Sequence, residues 1–167
     1  MIIVLMVLAG LGRTKALNLF VLTTMVSLFV TATFWAIFPS FGPAAYQILP
    51  SDIENSLNIF TGAAYGESLM AQAELGVPVI SPGVILGSIA FPSFHMIMAC
   101  LVVWFLRTTF AFYPAVILNT LMLPSILIHG GHHLVDLLGG IIAFFIALGL
   151  SAALMAWFAP ETDTCTT

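Results

Sequence analysis

Leu134-Val-Asp-Leu-Leu-Gly-Gly-Ile-Ile-Ala-Phe-Phe-Ile-Ala-Leu-Gly-Leu-Ser-Ala-Ala-Leu-Met-Ala-Trp-Phe158 decides the class of fold. Asp136 is its one charged residue. Wound as an α-helix the stretch reaches roughly 37 Å, enough to cross a hydrocarbon core of about 30 Å. The remainder of the chain agrees, because 61% of its 167 residues are hydrophobic and only 6% are charged. A water-soluble domain needs far more charge on its surface, so the sequence specifies an all-α, polytopic transmembrane helical bundle.

Working outward, Ala16–Phe38 is a further full span, and Met96 to about Phe112 a shorter one with Arg107 able to snorkel near its end. Tyr113–Ile128 follows, with Pro114 at a tolerated first-turn position. Met1–Leu11 is apolar but reaches only about 17 Å, too short to cross alone. Arg13 and Lys15 follow that run instead of preceding it, the reverse of a signal peptide. Residues 1–15 therefore read as a partial or truncated apolar segment, ahead of a membrane domain over 16–160 and a polar tail over 161–167. The long connector Pro39–Phe91 is rich in Pro and Gly. Within it, Ser51-Asp-Ile-Glu54 reads as a capping box that opens a helix with Ile53, Leu57 and Phe60 on one face, an interfacial helix lying over the site.

Three cations and a net charge of −4 leave no basic patch, which excludes nucleic acid as a partner. Cys100 and Cys165 form neither a disulfide framework nor a metal-ligand spacing. Alternating the spans places Arg13, Lys15 and Arg107 on one side, which the positive-inside tendency makes cytoplasmic. The histidines then face the exterior, periplasm or lumen.

All four histidines fall within two short stretches, Phe91-Pro-Ser-Phe-His95 and His129-Gly-Gly-His-His-Leu-Val-Asp136. Ionisable groups are expensive next to lipid, so such a cluster is read as a site. On a helix, His132 and Asp136 stack on one face. The carboxylate can then fix one imidazole nitrogen and leave the other free as a nucleophile. His95, at the mouth of a different helix on the same side, is placed to protonate a leaving oxygen. Ser93 and the unpaired N–H groups at that helix start suit an anion, and Gly130 and Gly131 leave room for a phosphoryl group to approach the backbone. The implied reaction is phosphoryl transfer through a phosphohistidine.

His133 lies three residues before Asp136, so geometry alone allows it to replace His132, although a structural hydrogen-bonded role is the simpler reading. His129 reads as a helix-end histidine bonding carbonyls, and Gly139-Gly140 as a helix-packing notch. Two rival readings stand beside the enzyme. One is a zinc or iron site built from His95, His129, His132 or His133, and Asp136. The other is a non-catalytic, lipid-binding membrane protein.

Pro92-Ser93-Phe94-His95 resembles the second signature of the type 2 phosphatidic acid phosphatase superfamily, usually Pro-Ser-Gly-His. Gly131-His132-His133-Leu-Val-Asp136 resembles its third, with the core His-x-x-x-Asp. The overall flavour is most similar to the inositol phosphorylceramide synthase-like branch. The resemblance spans roughly Ala32–Phe158 and implies His132 as nucleophile, Asp136 as its orienter, His95 as acid/base and Ser93 as a phosphate contact. It further implies a phospholipid or sphingolipid substrate, a metal-independent step and no cofactor. The sequence departs from the family in two places. The first signature, a Lys and an Arg-Pro that bind phosphate, has no counterpart, and position 126, where the third signature carries Arg, is Ile.

Overall fold

The computed structural model describes residues 1–43, 90–128 and 131–158. Among these there are five helices and no strand: α1 (Ile2–Gly10), α2 (Thr14–Ile37), α3 (Phe94–Leu106), α4 (Phe112–Ile128) and α5 (Leu134–Trp157). The expected interfacial helix from Ser51, and His129, Gly130 and the 161–167 tail, lie outside the described residues.

α2 and α5 are both long and apolar enough to cross a membrane, and α3 and α4 are shorter apolar helices. Large apolar side chains stand outward along the bundle, among them Phe29 at 72% exposure, Leu118 at 67% and Ile142 at 61%. Such a continuous apolar exterior suits lipid and not water. Inside, Val4, Leu8, Phe20, Ile97, Leu101 and Phe144 form the buried cluster. Phe20 meets Phe105 edge-to-face at a centroid separation of 5.3 Å. α1 is thus part of the packed domain, with Val4 and Leu8 fully buried.

The contacts at the helix ends fix the direction of each helix. Gly12 joins α1 to α2 at φ +65°, a left-handed conformation that glycine adopts without strain. Arg13 beside it hydrogen-bonds the hydroxyl and the carbonyl of Thr108, in the α3–α4 turn. At the opposite end the Phe34 ring of α2 packs on Phe91, just ahead of α3, and the Ser93 N–H donates to the Asp136 carbonyl of α5 at 3.0 Å. α2 therefore runs antiparallel to α3 and α5. Arg13, Lys15 and Arg107 gather at one end and His95, His132 and His133 at the other, as alternation of spans requires.

α3 stops earlier than its hydropathy suggests, since the expected run to about Phe112 ends at Leu106. Thr109 turns the chain: its hydroxyl donates to the Leu106 carbonyl at 2.9 Å and accepts from the Ala111 N–H at 3.2 Å. A side chain that bonds nearby backbone competes with the helical ladder, and here it separates two apolar runs that look continuous by composition.

Small residues let the helices approach. α2 buries Thr23, Ser27 and Thr31 at every fourth position, and α5 buries Gly139, Gly140, Ala143, Ala147 and Ser151. Thr23 and Ser27 return their hydroxyls to the carbonyls of Leu19 and Thr23, whereas the buried hydroxyls of Thr31 and Ser151 find no partner among the described residues. Gly139 and Gly140 form the expected notch. A Cβ on Gly140 would lie 2.6 Å from the Ser93 carbonyl oxygen, and one on Gly139 2.3 Å from the Phe91 ring. Gly149, by contrast, has open space around it.

Gly140→Ala should therefore push α5 off the start of α3 and cost about 1–3 kcal/mol, the usual range for overpacking. Thermal unfolding of the purified protein in lipid should show a lowered midpoint for this variant and none for Gly149→Ala.

Candidate active site

The site begins with a clamp on the chain just before α3. Ser40, beyond the end of α2, accepts the Phe91 N–H on its hydroxyl at 2.8 Å, and its carbonyl accepts from Trp35 Nε1 at 3.3 Å. Ser93 caps α3, accepting the Met96 N–H on its hydroxyl at 3.4 Å, and is fully buried. These bonds fix Ala90–Ser93 against both α2 and α5. His95, the second residue of α3, is consequently held at the rim, exposed as a residue but with its ring partly covered by His132.

The other half comes from the entry to α5. His133 occupies the N-cap position, and its backbone N–H donates to Asp136 Oδ2 at 2.6 Å. Acidic groups are favoured in the first turn, where backbone N–H groups lack partners. This places His132 one residue before the helix cap, buried to 6% exposure. Its Nε2 lies 3.2 Å from His95 Nδ1, and the rings meet at 73° with centroids 5.4 Å apart. The two motifs separated in sequence thus converge on one point.

One expectation is corrected in its details. His132 and Asp136 do not stack as helical neighbours, because His132 precedes the helix. Asp136 Oδ2 is 3.7 Å from His132 Nδ1, near but beyond hydrogen-bond distance. The close partner of Nδ1 is the Ala90 carbonyl at 2.8 Å. A carbonyl only accepts, so Nδ1 carries the proton and Nε2 holds the lone pair. His95 Nδ1 must then donate to that lone pair. Neither Ala90 nor Ser40 was singled out from the sequence, since a main-chain carbonyl brought in by tertiary packing has no sequence signature.

The remaining expected residues divide. Ser93 is turned into the α3 cap and away from solvent, so its hydroxyl already has a partner. Gly131 lies beside open space, with nothing within 4 Å of where a Cβ would stand. His133 is exposed and contributes its backbone to the α5 cap. Among the described residues, no three His, Cys, Asp or Glu side chains are gathered so that they could hold a metal ion.

This arrangement, a motif pair of the right kind meeting in space, coincides with a match of residues 1–150 to the PAP2 superfamily. The chain belongs to the PAP2 superfamily. No curated protein and no solved structure is significantly similar to it. Membership supports a lipid phosphatase or phosphotransferase type of function in a membrane setting.

Burial pushes the His132 imidazole below the ordinary histidine range; the Ala90 carbonyl and the Asp136 carboxylate partly oppose this, and His95 adds to it. Burial thus biases His132 in this PAP2 protein toward its neutral form. Nitrogen-15 NMR of histidine-labelled protein should show His132 as the Nδ1–H tautomer with a midpoint below about 6.5. Asp136→Asn removes an anion that favours the imidazolium, so it should lower that midpoint further.

Proposed function

We propose that this chain is a membrane lipid-phosphate phosphatase or phosphotransferase that works through a phosphohistidine on His132, on the non-cytoplasmic side. The observation that carries the reading is the His132 Nε2 lone pair, fixed by the Ala90 carbonyl at 2.8 Å and facing His95 at 3.2 Å. Nucleophile and proton carrier stand together at the mouths of two helices. The side assignment rests on the three cations at the other end of the bundle.

In the first step Nε2 attacks phosphorus, the P–O bond to the leaving alcohol breaks, and His95, entering as the imidazolium, gives that oxygen its proton and is left neutral. In the second, water or an alcohol attacks phosphorus, His95 takes the proton, and the N–P bond breaks to restore His132. Water gives a phosphatase; an alcohol gives a transferase of the inositol phosphorylceramide synthase-like kind. His95 Nδ1 occupies the space that phosphorus needs beside Nε2, so its ring swings aside as substrate enters. Its exposure permits that motion. Asp136 steadies the entry to α5 and the charge that develops on His132. Gly131, with open space beside it, and Gly130 are the proposed approach path of the phosphoryl group. The phosphate contact expected of Ser93 would require its hydroxyl to leave the Met96 N–H.

Phosphoryl charge needs stabilisation, and the chain's three cations are all away from this end. The N-termini of α3 and α5 supply about half a positive charge each, partly cancelled by Asp136. That shortage is the one observation favouring the second reading, a lipid-binding relative without turnover. For the enzyme it has a consequence: a singly charged phosphodiester is easier to accommodate than a monoester dianion. At pH 8, well above the second phosphate pKa of about 6, a lipid phosphodiester should be consumed faster than the matching monoester. Phosphate release and headgroup exchange measured side by side check this.

The decisive experiment is trapping with phosphorus-32-labelled lipid phosphates and diesters in nanodiscs. Acid-labile label should map to His132 and not His133, and His132→Ala should abolish it. His95→Ala should slow turnover by about 10²–10⁴-fold. Because the nucleophile must be neutral, the rate should fall as pH drops through the His132 titration, below about pH 6.5. Lipid binding with no label and no turnover across the panel would establish the non-catalytic reading instead.

A further inference from the structure

Ser40, just past the end of α2, governs the main chain that meets His132. Ala90 and Phe91 each present one N–H and one C=O. The Ser40 carbonyl accepts the Ala90 N–H at 3.4 Å. Its hydroxyl accepts the Phe91 N–H at 2.8 Å and donates to the Phe91 carbonyl at 3.3 Å. The group left over is the Ala90 carbonyl, which accepts from His132 Nδ1 at 2.8 Å. That carbonyl and the Phe91 N–H belong to a single planar peptide unit and point in opposite directions. The Ser40 hydroxyl therefore holds one end of the unit whose other end holds the His132 ring.

We infer that Ser40 is a positioning residue for phosphoryl transfer, which aims the Ala90 carbonyl at Nδ1 through the 90–91 peptide and so keeps the Nε2 lone pair of His132 available to phosphorus. The inference rests on the proposed transfer through His132 and adds to it a residue that controls the nucleophile. A neutral imidazole carries its proton on either nitrogen, and the partner of one nitrogen decides which. Asp136 Oδ2 stands 3.7 Å from Nδ1, beyond hydrogen-bond distance, so the choice falls to the carbonyl. A peptide unit can turn about its flanking bonds unless both of its ends are tied. A hydrogen bond to its N–H also polarises its C=O and strengthens the bond made there. The bond to the Ala90 N–H comes from the Ser40 main chain and does not depend on its side chain. The two bonds to Phe91 do: they need a group that accepts and donates at once, as a hydroxyl does and a methyl cannot.

The test uses the full chain in nanodiscs and reads His132 by nitrogen-15 NMR of histidine-labelled protein, alongside turnover of a lipid phosphodiester. In Ser40→Ala the His132 signals should move from the Nδ1–H tautomer toward a mixture with Nε2–H. There kcat and kcat/KM should fall together by about 3–10-fold, the effect of one ordinary hydrogen bond, with KM nearly unchanged. Ser40→Thr keeps the hydroxyl and should restore both readings. Ser40→Cys, a weaker donor and acceptor, should show the same change to a smaller degree, and it carries the test should the alanine variant not fold. Thr109→Ala removes a similar pair of main-chain bonds at the opposite end of the bundle and should leave the tautomer unchanged. An unaltered tautomer in both Ser40→Ala and Ser40→Cys would overturn the inference. So would an equal shift in Thr109→Ala, the mark of general loosening. A shift with Ser40→Ala in a protein that transfers no phosphoryl group would sink the transfer reading and leave the positioning of His132 standing. Transfer by a protein whose His132 ignores Ser40 would do the reverse.

Discussion

The structure depends on the seam between the chain ahead of α3 and the start of α5. Two histidines on separate transmembrane helices have no reason to meet unless their backbones are fastened together at the mouth. Here Ser93 N–H donates to the Asp136 carbonyl at 3.0 Å, and His132 Nδ1 donates to the Ala90 carbonyl at 2.8 Å. The two bonds cross the same seam in opposite directions. Asp136 serves both sides of it: its carbonyl holds the α3 side, and its carboxylate holds the N-cap amide of its own helix at 2.6 Å. Gly139 and Gly140 make the approach possible, because a methyl group on either would collide with Phe91 or Ser93. What packs the helices together is therefore also what assembles the site.

Much of this was legible in the sequence, and the limits have physical causes. The long spans were readable because crossing a bilayer demands an uninterrupted apolar helix, a property of the segment alone. α2 and α5 accordingly lie within about two residues of their expected bounds. α3 was read too long, since the Thr109 bonds that end it depend on local geometry that composition does not encode. The convergence of His95 with His132 was legible from the motifs and from the parity of the spans. Its fine geometry was not: the helical spacing of His132 and Asp136 suggested a direct pair, but the helix begins only after His133. The actual Nδ1 partner is the main-chain oxygen of Ala90, in a segment held by Ser40, and no side-chain motif announces it.

The electrostatic character of the site follows from the same separation. With no lysine or arginine between Lys15 and Arg107, positive potential at the histidine end comes, among the described residues, from helix termini and from whatever proton the histidines carry. Each terminus carries fixed, oriented N–H groups that need no reorganisation as charge develops. The low surrounding polarity strengthens them relative to water. Asp136 draws on part of this potential by capping α5, and the bond it makes there is what positions His132. Stability at the mouth of α5 and stabilisation of an incoming anion thus compete for the same backbone groups.

That competition also explains why burial of His132 matters. A solvated imidazole beside a carboxylate tends toward its protonated form, which has no lone pair to offer phosphorus. Removing His132 from water acts against this, and so does the nearby His95; together they outweigh Asp136 and the Ala90 carbonyl. Had Asp136 sat in direct contact with Nδ1, its pull toward the imidazolium would have been stronger in such a dry setting. A neutral carbonyl as the close partner, with the carboxylate at 3.7 Å, fixes the same tautomer while favouring the charged form less. In a site this poor in cations, keeping the nucleophile neutral and ready falls to geometry and burial, and both come from the seam.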